Sequence, residues 1–208
     1  MMMAQNGTEP RQRLIDAAIE LFGECGFRGA TTRRIAETAG VNEVTLFRLF
    51  GSKSALLEEA VRQSQNVTMR RADGTLPAQP SDPQAELEAW AREQWRSMRE
   101  RRSVIRKMMS EVEEHPEISG CLSDGWDRMR TGVLQYLERL RERGAIDPDV
   151  PLTTAVTMLS GTLFSDAMGR DIKRNVYPPE RQAVAEYVQL FLRSLGYDAA
   201  RRTSGAHR

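Results

Sequence analysis

"IAETAGVNEVTLFRLFGSK", Ile35 to Lys53, is the stretch on which the fold turns. Ile35, Ala36 and Ala39 recur at helical spacing up to Gly40, and Leu46 and Phe50 continue an apolar face beyond it. Thr31 is placed to cap a helix over residues 32–39, Gly40 supplies the positive φ of a sharp turn, and Asn42 is placed to cap a second helix over 43–49. Two short helices are thereby forced to cross, and the small Ala36 and Ala39 let them approach closely. This is the pattern of a helix-turn-helix, with Ile35, Ala36, Ala39, Val41, Leu46 and Phe50 turned inward.

If that face is inward, the other is open. Asn42, Glu43, Val44, Thr45, Phe47 and Arg48 then form an outer surface suited to duplex DNA. Arg48 has the fork geometry for guanine O6/N7 or a phosphate, and Thr45 can donate to a phosphate or touch a thymine methyl. Lys53 stands at the start of the next helix, where exposed N–H groups and an ammonium together attract a phosphate. By itself the pattern also suits a plain αα corner with solvated charges and a partly exposed phenylalanine.

Outward from this stretch the periodicity is helical throughout, and about nine helices are expected in an all-α chain. Leu14, Ala17, Ala18, Leu21, Phe22 and Cys25 mark a first helix over 11–24, ending at Gly23 to Gly26. Ser52 caps a fourth helix that fades near Arg71, and Pro83 opens a fifth after the turn-rich DGTLPAQPSD, residues 73–82. Further stripes run through Leu87 to Met98 and through Val104 to Val112. A longer helix follows Asp124 and closes at Gly144, and two more cover 152–170 and 179–195. The expected organisation is a tail at 1–9, a DNA-binding domain at 10–57, a larger helical domain at 58–197, and a tail at 198–208, with both tails disordered.

The net charge of +1 over 208 residues is near neutral but unevenly placed: residues 1–71 carry 10 Lys/Arg against 8 Asp/Glu, and the rest 20 against 21. The sign suits a nucleic-acid-binding N-terminal part, though the difference is too small to establish one. No apolar run of about 18 residues and no signal-type start occur, so a cytoplasmic protein without membrane insertion is expected. Two cysteines, Cys25 and Cys121, and two histidines, His115 and His207, match no zinc or redox spacing. Cys25, on an apolar face, is expected to act as a small hydrophobe, and no metal or cofactor is expected. The hydrolase, phosphate-loop, dinucleotide and metalloprotease motifs are absent, which argues against an enzyme.

The segment from Arg11 to Leu57, with helix, Gly26-Phe27, "IAETAGV" and "TLFRLFGSKSALL" in order, resembles the N-terminal DNA-binding domain of TetR-family transcriptional regulators. The resemblance implies a homodimeric repressor that binds a palindromic double-stranded DNA operator through residues 42–49. It implies that a small apolar or amphipathic effector binds the C-terminal domain, which also carries the dimer interface. It places Thr32 and Arg33 at the groove edge, Thr45 and Phe47 at the backbone and Lys53 on a phosphate. The chain departs from the family at Phe47, where tyrosine is usual, at Leu49, where histidine or tyrosine is more frequent, and at Ala30, where threonine is common. A helical protein-interaction module without sequence-specific DNA binding is the competing reading.

Within the larger domain, Trp95, Met98, Met109, Trp126, Met129, Met158 and Phe164 are the candidates for lining an effector pocket, although such stripes also suit plain core. The last two helices are the candidates for a two-fold interface, through Leu159, Leu163, Tyr187, Phe191 and Leu195.

Overall fold

The computed structural model describes residues 9–71, 76–115, 119–173 and 175–197. Residues 1–8 and 198–208, with most of both expected tails and His207, lie outside the described residues, as does the side chain of Cys121. Among the described residues there are nine α-helices and no strand: α1 (Pro10–Gly29), α2 (Thr32–Thr38), α3 (Glu43–Phe50), α4 (Lys53–Arg71), α5 (Pro83–Glu100), α6 (Arg102–Glu111), α7 (Ser119–Glu142), α8 (Leu152–Gly169) and α9 (Glu180–Ser194). None of them is long and apolar enough to cross a membrane.

The helix boundaries follow local chemistry. Ser52 Oγ accepts the N–H of Ala55 at the start of α4, and Asp82 Oδ1 accepts that of Ala85 at the start of α5, where Pro83 takes the first turn at no hydrogen-bond cost. Gly144, at φ 63, ends α7 and lets the N–H of Ala145 reach back to Leu140 O at 2.9 Å. α7 begins at Ser119 rather than after Asp124, so it runs through Gly120 and Gly125, residues of poor helix propensity that hid its first turns from a periodicity reading. α1 is broken internally at Gly26, whose φ of 74 and ψ of −174 are non-helical. The expected stop near Gly23 to Gly26 is therefore a kink followed by one more turn.

The chain folds as two compact units. The first holds α1–α4 together with α6; the second holds α5, α8, α9 and α7 from Trp126 onward. The sequence boundary at residue 57 cuts the first unit too short, because all of α4 belongs to it and α6 joins it from across the sequence. Its core runs through Leu14, Ala18, Phe22, Ile35, Leu46 and Leu57, and Met108 of α6 is buried in the same cluster with Val104 packed against it. Gly23 permits that approach: a Cβ there would lie 3.1 Å from Val104 Cγ2.

The second unit has its own core, including Leu87, Trp90, Val133, Leu137, Val156, Leu163, Val188 and Leu192. Two polar pins tie its helices. Tyr136 Oη donates to Glu86 at 2.5 Å, and Glu86 also accepts the Ser81 hydroxyl at 2.6 Å and the N–H groups of Ser81 and Asp82. Burial opposes ionisation of Glu86, but these hydrogen bonds outweigh it and hold the carboxyl down at about 2. The second pin is Asp166, fully buried, which accepts from Trp95 Nε1 at 3.1 Å, Arg170 Nε at 2.7 Å and Tyr187 Oη at 2.6 Å.

Candidate nucleic-acid interface

The turn between α2 and α3 is built as its residues predict. Thr31 Oγ1 accepts the N–H of Arg34 at 3.3 Å and Asn42 Oδ1 accepts that of Val44 at 2.9 Å, so each short helix has a side-chain N-cap. Gly40 sits at φ 63 and the N–H of Val41 returns to Ala36 O at 3.0 Å, which closes α2 and reverses the chain. Ile35, Ala36, Ala39 and Leu46 are buried at 5% exposure or less, with Val41 and Phe50 packed on the same core.

The opposite face of α3 is open. Val44 is 71% exposed, Phe47 48% and Leu49 38%, with Arg48 exposed and Thr45 half-buried. Three apolar side chains on one eight-residue helix are therefore in water. The polar residues around them are mostly engaged: Thr32 Oγ1 donates to Glu43 Oε1 at 2.6 Å, and Arg33 Nε donates to Glu37 at 2.9 Å. Thr32, Asn42, Glu43, Val44, Thr45, Phe47 and Arg48 thus border one surface, with Arg33 on α2 turned to its own helix neighbour.

Lys53, expected on a phosphate, also has partners within the chain. Its Nζ donates to Phe27 O at 2.6 Å and lies 3.9 Å from the centre of the Phe27 ring. Burial lowers its pKa, and the nearby Glu111 carboxylate partly offsets that. The ammonium keeps two further donors for an anion.

Phe27 is also held from the other side. Its N–H donates to Glu111 Oε2 at 2.7 Å, and its ring lies 4.1 Å from that of His115. Lys107 Nζ stands 3.7 Å from Glu111 Oε1. The last turn of α1 is thus gripped by the end of α6 and the start of α4, just where it hands the chain to α2. Glycine is required at residue 26 by its φ of 74, and a Cβ there would also fall 2.0 Å from Glu111 Oε1, so that the Glu111 carboxylate would have to move off the Phe27 N–H. Sequence reading missed Glu111 because it lies 84 positions from Phe27, beyond any local spacing.

The second unit treats its candidates unevenly. Trp126 and Phe164 are brought together with ring centres 5.1 Å apart, and Met98 and Met129 are buried. Trp95 spends its indole N–H on Asp166. Met158 is 64% exposed on α8, while Met109 is 51% exposed on α6 and belongs to the first unit, so these two do not line an interior cavity of the second. An open groove of about 840 Å³ between α5 and α9 is lined by polar residues such as Gln84, Glu88, Arg181 and Arg193, and by none of the seven candidates.

Four of the five expected interface residues are interior, and Tyr187 is half-buried. Leu159, Leu163, Phe191 and Leu195 are buried at 7% exposure or less within this chain's own core, and the Tyr187 hydroxyl is bound to Asp166. An apolar stripe marks the buried face of a helix, and here that face is covered by the same chain. The apolar groups that α8 and α9 leave open are Met158 and Leu190, 64% and 63% exposed.

Residues 14–60 match the family model of bacterial regulatory proteins of the tetR family, and residues 80–189 match that of the tetracyclin repressor-like C-terminal domain. The chain is 26% identical over 159 residues to the HTH-type transcriptional repressor AcnR of Corynebacterium efficiens, covering 73% of this chain and 78% of AcnR. It is 25% identical over 176 residues to the HTH-type transcriptional regulator UidR of Escherichia coli K12, covering 79% and 84% respectively. A solved transcriptional regulator of Rhodococcus sp. Rha1 shares the fold at a TM-score of 0.70 and 21% identity, over 90% of this chain and 97% of that one.

Proposed function

The chain belongs to the tetR family of bacterial transcriptional regulators, which are not enzymes, and from that premise we propose a cytoplasmic repressor that binds a palindromic operator as a homodimer and is released by a small effector. The observation that carries the reading is the two-faced α3: Leu46 is fully buried, while Val44, Phe47 and Arg48 on the other side meet water. In a dimer each α3 enters the major groove, with half-sites roughly 34 Å apart along the duplex.

Arg48 reads a base edge, Thr45 and Phe47 lie along the backbone, and Lys53 adds a phosphate contact with the donors that Phe27 leaves free. The pairing of two chains is supported by the exposed side of α8 and α9. There Met158 and Leu190 stand in water, and a Cβ added at Gly161 would meet nothing within 4 Å. Thr154, Thr157, Gly161 and Thr162 are likewise exposed on α8, and the bare glycine leaves room for a partner helix to approach closely.

The effector acts by favouring a conformer whose two heads no longer match the operator, which requires different affinities for the two states. Apolar and amphipathic compounds are the class favoured by Trp126, Phe164, Met98 and Met129. Footprinting of genomic fragments from the source bacterium is expected to protect a palindrome. Uniform background protection would favour a protein-interaction module instead.

A further inference from the structure

The exposed apolar edge of α3 is the least economical feature of the head. Val44 is 71% exposed, the most exposed large apolar side chain of the described first unit, and Phe47 follows it one turn along at 48%. Neither fills the core, and neither can make a hydrogen bond through its side chain. In a helix a valine is held to essentially one rotamer, so Val44 presents two methyl groups in a fixed direction.

The polar side chains beside it are turned elsewhere. Asn42 directs Oδ1 to the N–H of Val44, so its amide is not free for the paired contact to adenine. Glu43 turns one carboxylate oxygen to the Thr32 hydroxyl at 2.6 Å, which draws the side chain toward α2 and away from the apolar tip. The start of α3, the end that meets base edges in such motifs, is thereby left with an apolar tip. The major-groove edges of the four bases carry one apolar group, the C5 methyl of thymine.

Resting on the DNA-binding function proposed above, we infer that Val44 is a specificity-determining residue that reads the C5 methyl of a thymine in each half-site, with Phe47 closing the contact from the backbone side. The recognition is by exclusion of water from methyl groups, and it adds a thymine requirement to whatever base Arg48 selects.

The test uses the full-length protein and duplexes selected by it from a random pool. Each thymine of the selected site is replaced in turn by deoxyuridine, which removes the methyl and leaves the hydrogen-bonding edge unchanged. At one position per half-site the affinity is expected to fall about fourfold, the loss that withdrawing one buried methyl group corresponds to. In Val44→Ala, an exposed substitution whose folding is checked by its unchanged melting curve, the same uracil is expected to make no difference. A uracil scan that is silent throughout the site, or one whose loss persists undiminished in Val44→Ala, overturns the assignment while leaving sequence-specific binding intact. Failure to enrich any sequence overturns the DNA-binding function itself.

Discussion

Replacing Asp166 by asparagine keeps the shape of the side chain and removes its charge. The carboxylate is fully buried and accepts from Arg170 through both Nε and Nη2, from the Tyr187 hydroxyl and from the Trp95 indole. An amide puts two N–H donors where one oxygen had accepted, so at least one of these donors loses its partner. Arg170, with its side chain 11% exposed, is left with an unbalanced charge. Breaking a buried pair this way costs about 3–5 kcal/mol, and the lower end applies because Arg170 Nη1 keeps its bond to Pro178 O at 2.7 Å. For a chain of this size about 3 kcal/mol lowers Tm by roughly 6–12 °C.

Near-UV circular dichroism is the suitable assay, because Trp95 and Tyr187 report directly on the site. Adding Arg170→Met to the variant removes the orphaned charge and is expected to restore part of the loss. The pH dependence has a defined sign. Burial opposes ionisation of Asp166, but the hydrogen bonds from Arg170, Tyr187 and Trp95 prevail and lower its pKa below the ordinary 3.8. Its contribution is therefore complete above the unfolded value and is lost as the pH falls through the folded one. The gap between wild type and Asp166→Asn should narrow below about pH 4. A variant melting within about 2 °C of wild type at neutral pH would refute the reasoning.

Gly26→Ala puts a side chain at φ 74 and ψ −174 and displaces the Glu111 carboxylate from the Phe27 N–H, and should cost about 2–3 kcal/mol in denaturant unfolding of the first unit, through backbone strain plus the lost hydrogen bond. Phe47→Tyr returns a hydroxyl to the rim of α3 and is expected to tighten binding to all duplexes about three- to tenfold, measured by fluorescence anisotropy. Lys53→Met should weaken binding without changing sequence preference and lower the salt slope by about one unit per protomer. Glu86→Gln is expected to destabilise at pH 7 and much less at pH 2, since the folded pKa of about 2 lies below the ordinary 4.5 and the stabilisation fades as the pH falls from the one through the other.

What was legible in the chain was what is local. Thr31, Gly40 and Asn42 act on groups two to five residues away, so the helix-turn-helix could be assembled from spacing alone. Contacts between distant segments were not legible. Glu111 reaches Phe27 across 84 positions, and α6 joins the first unit through Val104 and Met108, whose stripe would suit any neighbour. Met109 was grouped with residues of the second unit for the same reason, whereas its helix packs on α1. Periodicity also identifies a buried face without identifying its cover, which is why Leu159, Leu163, Phe191 and Leu195 looked equally suited to an interface and to the core they occupy.

The central claim is that the outer face of α3 reads duplex DNA, and the measurement that tests it most directly is a comparison of sequence preference between wild type and Arg48→Ala. Both proteins are presented with the same randomised duplex pool and the bound fractions are sequenced. The account predicts a palindrome for wild type, and for Arg48→Ala the same palindrome with one base pair per half-site relaxed, at a cost of about 1–3 kcal/mol on the original site. An unchanged preference at every position, or no enriched sequence for either protein, would contradict it.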